Sequence, residues 1–211
     1  MVTKEQLKEK LKLYVILDRK LGNGVPLKQQ AQLAIAGGAT AIQLRDKEMK
    51  GRDYYQAALV IKDVCKENNV LFIVNDRLDV ALAAGADGVH LGQEDLPLHA
   101  AKKLAPPGFI IGISAVNVEQ ARLAEKGGAD YLGVGDVFGT ASKPDAKLTG
   151  VDMLKMICQS TSLPCVAIGG INVNNAKIVL DAGAIGIAVI SAVVSQKDIT
   201  GAAKALRELI P

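Results

Sequence analysis

The feature that most limits the fold of this chain is a phrase it repeats. Ala36-Gly37-Gly38-Ala39-Thr40, Ala84-Gly85-Ala86-Asp87-Gly88, Lys126-Gly127-Gly128-Ala129-Asp130 and Asp181-Ala182-Gly183-Ala184 each close a stretch of helix-like apolar spacing. A short apolar run follows each one within a few residues. Glycine at a helix C-terminus takes the left-handed cap, and the tight turn after it feeds a strand. Four copies of helix, glycine cap and strand in 211 residues set the alternation of the whole chain.

Reading outward from these copies gives eight strands: Lys12–Asp18, Ala41–Asp46, Leu71–Asp76, Gly88–Gly92, Phe109–Ser114, Tyr131–Val137, Cys165–Gly170 and Gly186–Ser191. Between them lie helical patterns such as Tyr54, Ala57, Ala58, Ile61, Val64 and Cys65. Strict alternation implies parallel strands joined by crossovers. The expected fold is an α/β chain closed into a single-domain (β/α)8 TIM barrel over residues 1–211, with residues 1–11 forming a helix ahead of the first strand. A doubly wound open sheet is the alternative.

Side chains alternate across a strand, so parity sorts them. Val15 and Leu17, Ile42 and Leu44, Val89 and Leu91, Ile111 and Ile113, Leu132 and Val134, and Val166 and Ile168 suit the helix-facing side. The opposite parity holds Tyr14, Ile16 and Asp18; Gln43 and Arg45; His90 and Gly92; Gly112 and Ser114; Gly133 and Gly135; Ala167 and Gly169. This inward set turns polar or glycine toward the strand exits, which suits a ligand in the upper mouth with volume left empty by glycine. The bland reading of the glycines is tight packing of interior layers.

Composition excludes several classes. An excess of only three positive charges, with three Phe, four Tyr and no Trp, offers neither the charge nor the stacking platforms for nucleic acid. No segment reaches the ~18 apolar residues of a membrane span, and Met1–Lys12 is too highly charged for a secretory signal. Cys65, Cys158 and Cys165 are odd in number and form no C-x-x-C, which fits free thiols in a reducing cytoplasm.

Sites in such barrels lie where strands end. The second exit reads Gln43-Leu44-Arg45-Asp46-Lys47-Glu48, with Gln43, Arg45 and Lys47 on one edge. Arg as a bidentate fork and Lys as a point charge suit a phosphate-bearing ligand. A surface cluster paired with Asp46 and Glu48 is the bland reading for Lys47. At the third and fourth exits, Asp76 and the Glu94/Asp95 pair are placed to share a hard cation, although either Asp would also serve as a helix N-cap. The sixth exit opens the longest loop, 135–150, where Thr140, Ser142 and Lys143 offer hydroxyls and an ammonium to phosphate. Gly170 and Ser191, at the seventh and eighth exits, fit a second anion site. His90 faces inward below the mouth and reads as a satisfied core histidine, while His99 reads as an exposed helix residue.

QLRDKE (43–48), VNDRL (74–78), GADGVHLGQED (85–95), IGISA (111–115), GADYLGVGDV (128–137), Thr140–Lys143 and AIGGI (167–171) run in this order across most of the chain. In combination they resemble the thiamine phosphate synthase family. The likeness implies a TIM barrel that joins 4-amino-2-methyl-5-hydroxymethylpyrimidine diphosphate to thiazole phosphate, with Mg2+, yielding thiamine phosphate and pyrophosphate. It also implies roles. Gln43, Arg45, Lys47, Asn75, Ser114 and Lys143 match the pyrimidine-diphosphate contacts, with Arg45, Lys47, Lys143 and Ser114 taken as catalytic. Asp76 and Asp95 match the magnesium ligands, and Thr140, Ser142, Gly170, Ile190 and Ser191 the thiazole-phosphate site.

The sequence also departs from the family. Its usual G-P-x-F/Y-P-T-x-T-K loop reads here Gly135-Asp136-Val137-Phe138-Gly139-Thr140-Ala141-Ser142-Lys143, and its Ala-His-Thr after the serine reads Ala115-Val116-Asn117. A tautomerase-like relative acting only on thiazole, and a non-catalytic sensor of phosphorylated precursors, are the rival readings. Small molecules are the expected partners, without nucleic acid or membrane, and a homo-oligomer is compatible with the sequence.

Overall fold

A computed structural model describes residues 2–140 and 148–211. Helix α1 (Lys4–Lys10) precedes β1 (Leu13–Leu17), and α2 (Leu27–Ala36) leads to β2 (Ala41–Leu44). Then follow α3 (Gly51–Glu67), β3 (Leu71–Asn75), α4 (Leu78–Ala84), β4 (Gly88–Leu91), α5 (Leu98–Leu104) and β5 (Ile110–Ala115). The chain continues through α6 (Val118–Lys126), β6 (Tyr131–Val134), α7 (Gly150–Ser160), β7 (Cys165–Ile168), α8 (Ala176–Asp181), β8 (Gly186–Val189), α9 (Ser191–Val194) and α10 (Ile199–Arg207). The strands pair in parallel, each with the next, and β8 pairs back onto β1 to close the barrel. An open doubly wound sheet is thereby excluded.

Each copy of the repeated phrase places a glycine at positive φ within two residues of its helix end: Gly38, Gly85, Gly128 and Gly183. A polar residue at or next to the end of three of them has a second task. Thr40 Oγ1, Asp87 Oδ2 and Asp130 Oδ2 accept the backbone N–H of Leu13, Phe72 and Ile111, at 2.9, 2.8 and 2.8 Å. These three phrases thus tie the entry of their own strand to the start of the preceding one, satisfying N–H groups at the barrel floor.

Two hydrophobic layers result. The outer one packs Val15, Leu17, Ile42, Leu44, Val89, Leu91, Ile111, Ile113, Leu132 and Val134 under the helices, as parity requires. The inner one holds Tyr14, Ile16, Ala41, Leu71, Ile73, Ile110, Tyr131, Val166 and Ala188, with Leu7 and Leu11 of the N-terminal segment joined to it. A Thr3–Gln6 capping box starts α1, which carries Leu7 into this layer.

Three expectations need correction. The strands stop short of their expected ends at Leu17, Leu44, Asn75, Leu91, Val134, Ile168 and Val189, while β5 begins at Ile110 and extends to Ala115. The inter-strand ladder ends before the sequence alternation does, so Asp18, Arg45 and Asp76 sit on the loops just beyond it. In β7 the parity is reversed: Val166 and Ile168 belong to the interior, Cys165 and Ala167 to the helix side. The register explains this, because Val166 lies beside the inward-facing Gly133. Finally, Gly112 and Gly133 do not leave space for a ligand. A Cβ on Gly112 would overlap the Tyr131 ring, and one on Gly133 would lie 2.7 Å from His90 Cε1. Interior packing accounts for both glycines.

Candidate active site

The β2 exit loop is folded by its own carboxylate. Asp46 Oδ1 accepts the N–H groups of Glu48 and Met49, each at 2.9 Å, and Oδ2 accepts Arg19 Nε at 2.8 Å. Burial by itself would raise the Asp46 carboxyl, but these donors outweigh it and hold it below the usual carboxylate range. Lys20 pairs with Glu48. With both acidic neighbours engaged elsewhere, Lys47 reaches across to the β3 exit, its Nζ 2.6 Å from Asp76 Oδ2. The surface-cluster reading of Lys47 therefore fails.

Asp76 is a non-glycine residue at φ +61°, and its N–H donates to His90 O at 2.9 Å. That conformation is disfavoured for a residue with a Cβ. The β4 exit brings Asp95 to the same place: its Oδ2 accepts Gly92 N–H at 2.7 Å, and its carboxyl lies within hydrogen-bonding reach of Asp76. Burial, then the neighbouring Asp76, raises the Asp95 carboxyl against the opposing pull of Lys47. Glu94 is exposed. Neither aspartate is a helix cap, since Arg77 and Pro97 occupy the N-cap positions of α4 and α5 and no side-chain cap bond forms there.

Two neighbouring carboxylates, with Lys47 paired to one of them, form a site that favours added positive charge. The donors are hard oxygens. Mg2+ characteristically takes one or two carboxylates and completes its octahedron with water and phosphate oxygens, so Asp76 and Asp95 fit that ion.

Deeper in the barrel, five side chains form one hydrogen-bonded line. Gln43 Nε2 donates to Tyr14 OH at 2.7 Å; Tyr14 OH lies 3.1 Å from Tyr131 OH. Tyr131 OH lies 3.0 Å from His90 Nδ1, and His90 Nε2 3.0 Å from Ser114 Oγ. Gln43, Tyr14 and Tyr131 are buried, and burial pushes both phenols far above their ordinary range. His90 is the satisfied interior histidine that its parity implies, and His99 is exposed in α5. Asn75 stands beside His90 in the β3–β4 register, on the same inward side.

Arg45 is mostly buried, with Nη1 3.7 Å from Asp18 Oδ2. Asp18 is held by Gln30, whose Oε1 accepts Asp18 N–H at 3.3 Å and whose Nε2 donates to Asp18 O and Val25 O at 3.2 and 2.8 Å. Gln30 is fully buried in α2, and so it fixes the loop that faces Arg45.

Across the mouth, the β6 and β7 exits touch. Gly170 has φ +66°, and a Cβ there would lie 3.0 Å from Phe138 Cβ, so only glycine lets the two backbones approach. Thr140 is half-buried on the same loop, Ile190 borders the inner layer, and Ser191 begins α9 with its side chain exposed. Ser142 and Lys143 lie outside the described residues. Asp136, standing where the family's loop has its first proline, is 6% exposed, and its Oδ1 has no hydrogen-bond partner among the described residues.

Several of these residues escape sequence reasoning. Tyr131 shares parity with Gly133 and Gly135, a signal that was there to be read. Gln30 gives a weaker one, a polar residue on the buried stripe of α2. The Asp18 pairing with Arg45 has no local signature, because it depends on how β1 and β2 abut.

A family model for thiamine monophosphate synthase matches residues 13–193. The thiamine-phosphate synthase of Coprothermobacter proteolyticus is 99% identical over 211 residues, all of both chains. That of Methanocella arvoryzae is 53% identical over 199 residues, 94% of each chain. The solved structure of thiamine phosphate pyrophosphorylase from Pyrococcus furiosus matches with a TM-score of 0.90 at 48% identity, covering 96% of each chain. A 3-hexulose-6-phosphate synthase structure, at TM-score 0.71 and 19% identity, shares the fold alone.

Proposed function

The chain belongs to the thiamine monophosphate synthase family and its activity is the synthesis of thiamine phosphate, a group transfer; from that premise we propose how its strand exits perform the reaction. The observation that carries the proposal is the convergence of Lys47, Asp76 and Asp95 from three successive exits. A diphosphate entering there meets fixed positive charge from Lys47 and Arg45, and Asp76 and Asp95 would hold Mg2+. When bound, that ion supplies neutralisation of the negative charge that builds as the diphosphate departs.

The C–O bond between the pyrimidine methylene and the diphosphate breaks, and the oxygen keeps the electron pair. The ring's amino group spreads the resulting positive charge. The thiazole nitrogen then donates its lone pair to the methylene carbon, giving thiamine phosphate. No proton is abstracted in forming this bond, so the site needs charge stabilisation and alignment more than a general base. Gln43 and Ser114 orient the pyrimidine diphosphate with Asn75. Gly170, Ile190, Ser191 and Thr140 are proposed to hold the thiazole phosphate, and the resemblance adds Ser142 and Lys143.

Among the described residues no helix is long and apolar enough to cross a membrane. The free thiols of Cys65, Cys158 and Cys165 support a reducing cytoplasm as the compartment. Incubation with both substrates and Mg2+ should release pyrophosphate together with thiamine phosphate. A protein that binds both substrates without releasing pyrophosphate would instead be a sensor. Conversion of thiazole phosphate alone would favour the tautomerase-like reading.

A further inference from the structure

The line from Gln43 to Ser114 spans the barrel interior and joins two residues that the proposed reaction uses, through three that it does not. Its donors and acceptors can be assigned one by one. Gln43 contributes Nε2, which only donates, so Tyr14 oxygen is an acceptor in that bond. Tyr14 carries one hydrogen of its own and is 2% exposed; a donor left unpaired there would lose its hydration without replacement. Among the described residues, the acceptor within reach is Tyr131 OH. The Tyr131 hydrogen is then available for His90 Nδ1, which must be unprotonated to accept it. In neutral His90 the proton therefore sits on Nε2 and is donated to Ser114 Oγ.

We propose that Tyr14, Tyr131 and His90 are positioning residues forming a one-way hydrogen-bond chain, which fixes the faces that Gln43 and Ser114 present to the pyrimidine diphosphate. The chain anchors the Gln43 amide by one N–H. The other N–H and Oε1 are left as a donor–acceptor pair, complementary to a ring nitrogen beside an amino group. A reversed amide would present two donors and mismatch that edge. At the far end Ser114 oxygen is already an acceptor, so its own hydrogen is directed to a ligand oxygen. Gly112 and Gly133 belong to the same device, because they make room for the Tyr131 and His90 rings.

The inference rests on the functional reading above, but its first test does not. In 15N NMR of the substrate-free protein, the His90 imidazole should carry its proton on Nε2. Tyr14→Phe should leave that tautomer unchanged, since Tyr131 still donates to Nδ1. Tyr131→Phe should release it, and the Nδ1–H form should gain population. A wild-type proton on Nδ1, or an unaltered tautomer in Tyr131→Phe, would overturn the assigned polarity. In steady-state assays both variants should raise KM for the pyrimidine diphosphate roughly three- to tenfold, the scale of one hydrogen bond, with KM for thiazole phosphate unmoved. Equal shifts in both constants, or none, would overturn the positioning role. Failure of the functional reading would show separately, as wild-type protein that releases no pyrophosphate while its imidazole signal stays interpretable.

Discussion

Gly112→Ala probes the interior most sharply. A Cβ at this position would lie 2.5 Å from Tyr131 Oη and closer still to two ring carbons. The ring has no retreat: Tyr131 is fully buried, and its hydroxyl is engaged by Tyr14 on one side and His90 on the other. Forcing one methyl into a close-packed interior costs about 1–3 kcal/mol. Displacing the phenol also strains or breaks two hydrogen bonds worth ~1 kcal/mol each. The expected destabilisation is about 3–5 kcal/mol, which at ~2–4 °C per kcal/mol for a domain of this size lowers Tm by roughly 6–20 °C. Thermal unfolding followed by circular dichroism, with calorimetry as the check on enthalpy, measures it. Two controls locate the cause. Gly85→Ala meets no atom within 4 Å and pays only for its φ of +67°, on the order of 1–2 kcal/mol. Gly112→Ala in a Tyr131→Leu background should cost much less than in the wild type, because the two sites are coupled through the ring. A Gly112→Ala protein melting within a degree or two of wild type would refute the packing argument.

Gln30→Ala strips partners from the backbone of Asp18 and Val25 in a buried setting; it should cost about 2–4 kcal/mol in urea unfolding and raise KM for the pyrimidine diphosphate by loosening Asp18 opposite Arg45. Asp46→Asn bears on pH. The folded-state pKa of Asp46 is depressed, so its stabilisation is full above the unfolded value of about 3.9 and fades as pH falls through the folded one. The variant should therefore be less stable than wild type near neutrality, with the gap closing below about pH 4 in a Tm series. Asp76→Asn should raise the Mg2+ concentration giving half-maximal rate by ~10-fold or more, the scale on which a weakened metal shell responds, in a titration of pyrophosphate release.

The barrel is legible in the sequence because its determinants are local and repeated. Helix spacing, the capping glycine and the apolar run after it recur often enough to number the strands and set their direction. The polar residue of three of these phrases, Thr40, Asp87 or Asp130, is visible too, but its partner is a strand distant in sequence, and only the closed sheet shows the bond. Parity works wherever a strand keeps its alternation through to the loop. It fails in β7, where apolar residues occupy both faces and Val166 looks no more external than Cys165.

Among the site residues, Lys47, Asp76 and Asp95 are nominated by strand-exit position, and the fold brings them together. Glycine is the instructive error. A missing side chain reads equally as space for a ligand or space for a neighbour, and the bulk that fills it comes from another strand. Tyr131 fills the space beside Gly112, and His90 that beside Gly133. The consequence is a polar interior held at full packing, with Gln43 and Ser114 at its two ends.

The claim on which the chemistry rests is that the Asp76 and Asp95 carboxylates hold a divalent ion against the departing diphosphate. Crystals soaked with Mn2+ and pyrophosphate, with data collected at the manganese edge, test it directly. The account predicts one anomalous peak contacting both carboxylates and a pyrophosphate oxygen, with Lys47 moved from Asp76 to the phosphate. Pyrophosphate bound with manganese on other ligands, leaving Lys47 paired with Asp76, would contradict it.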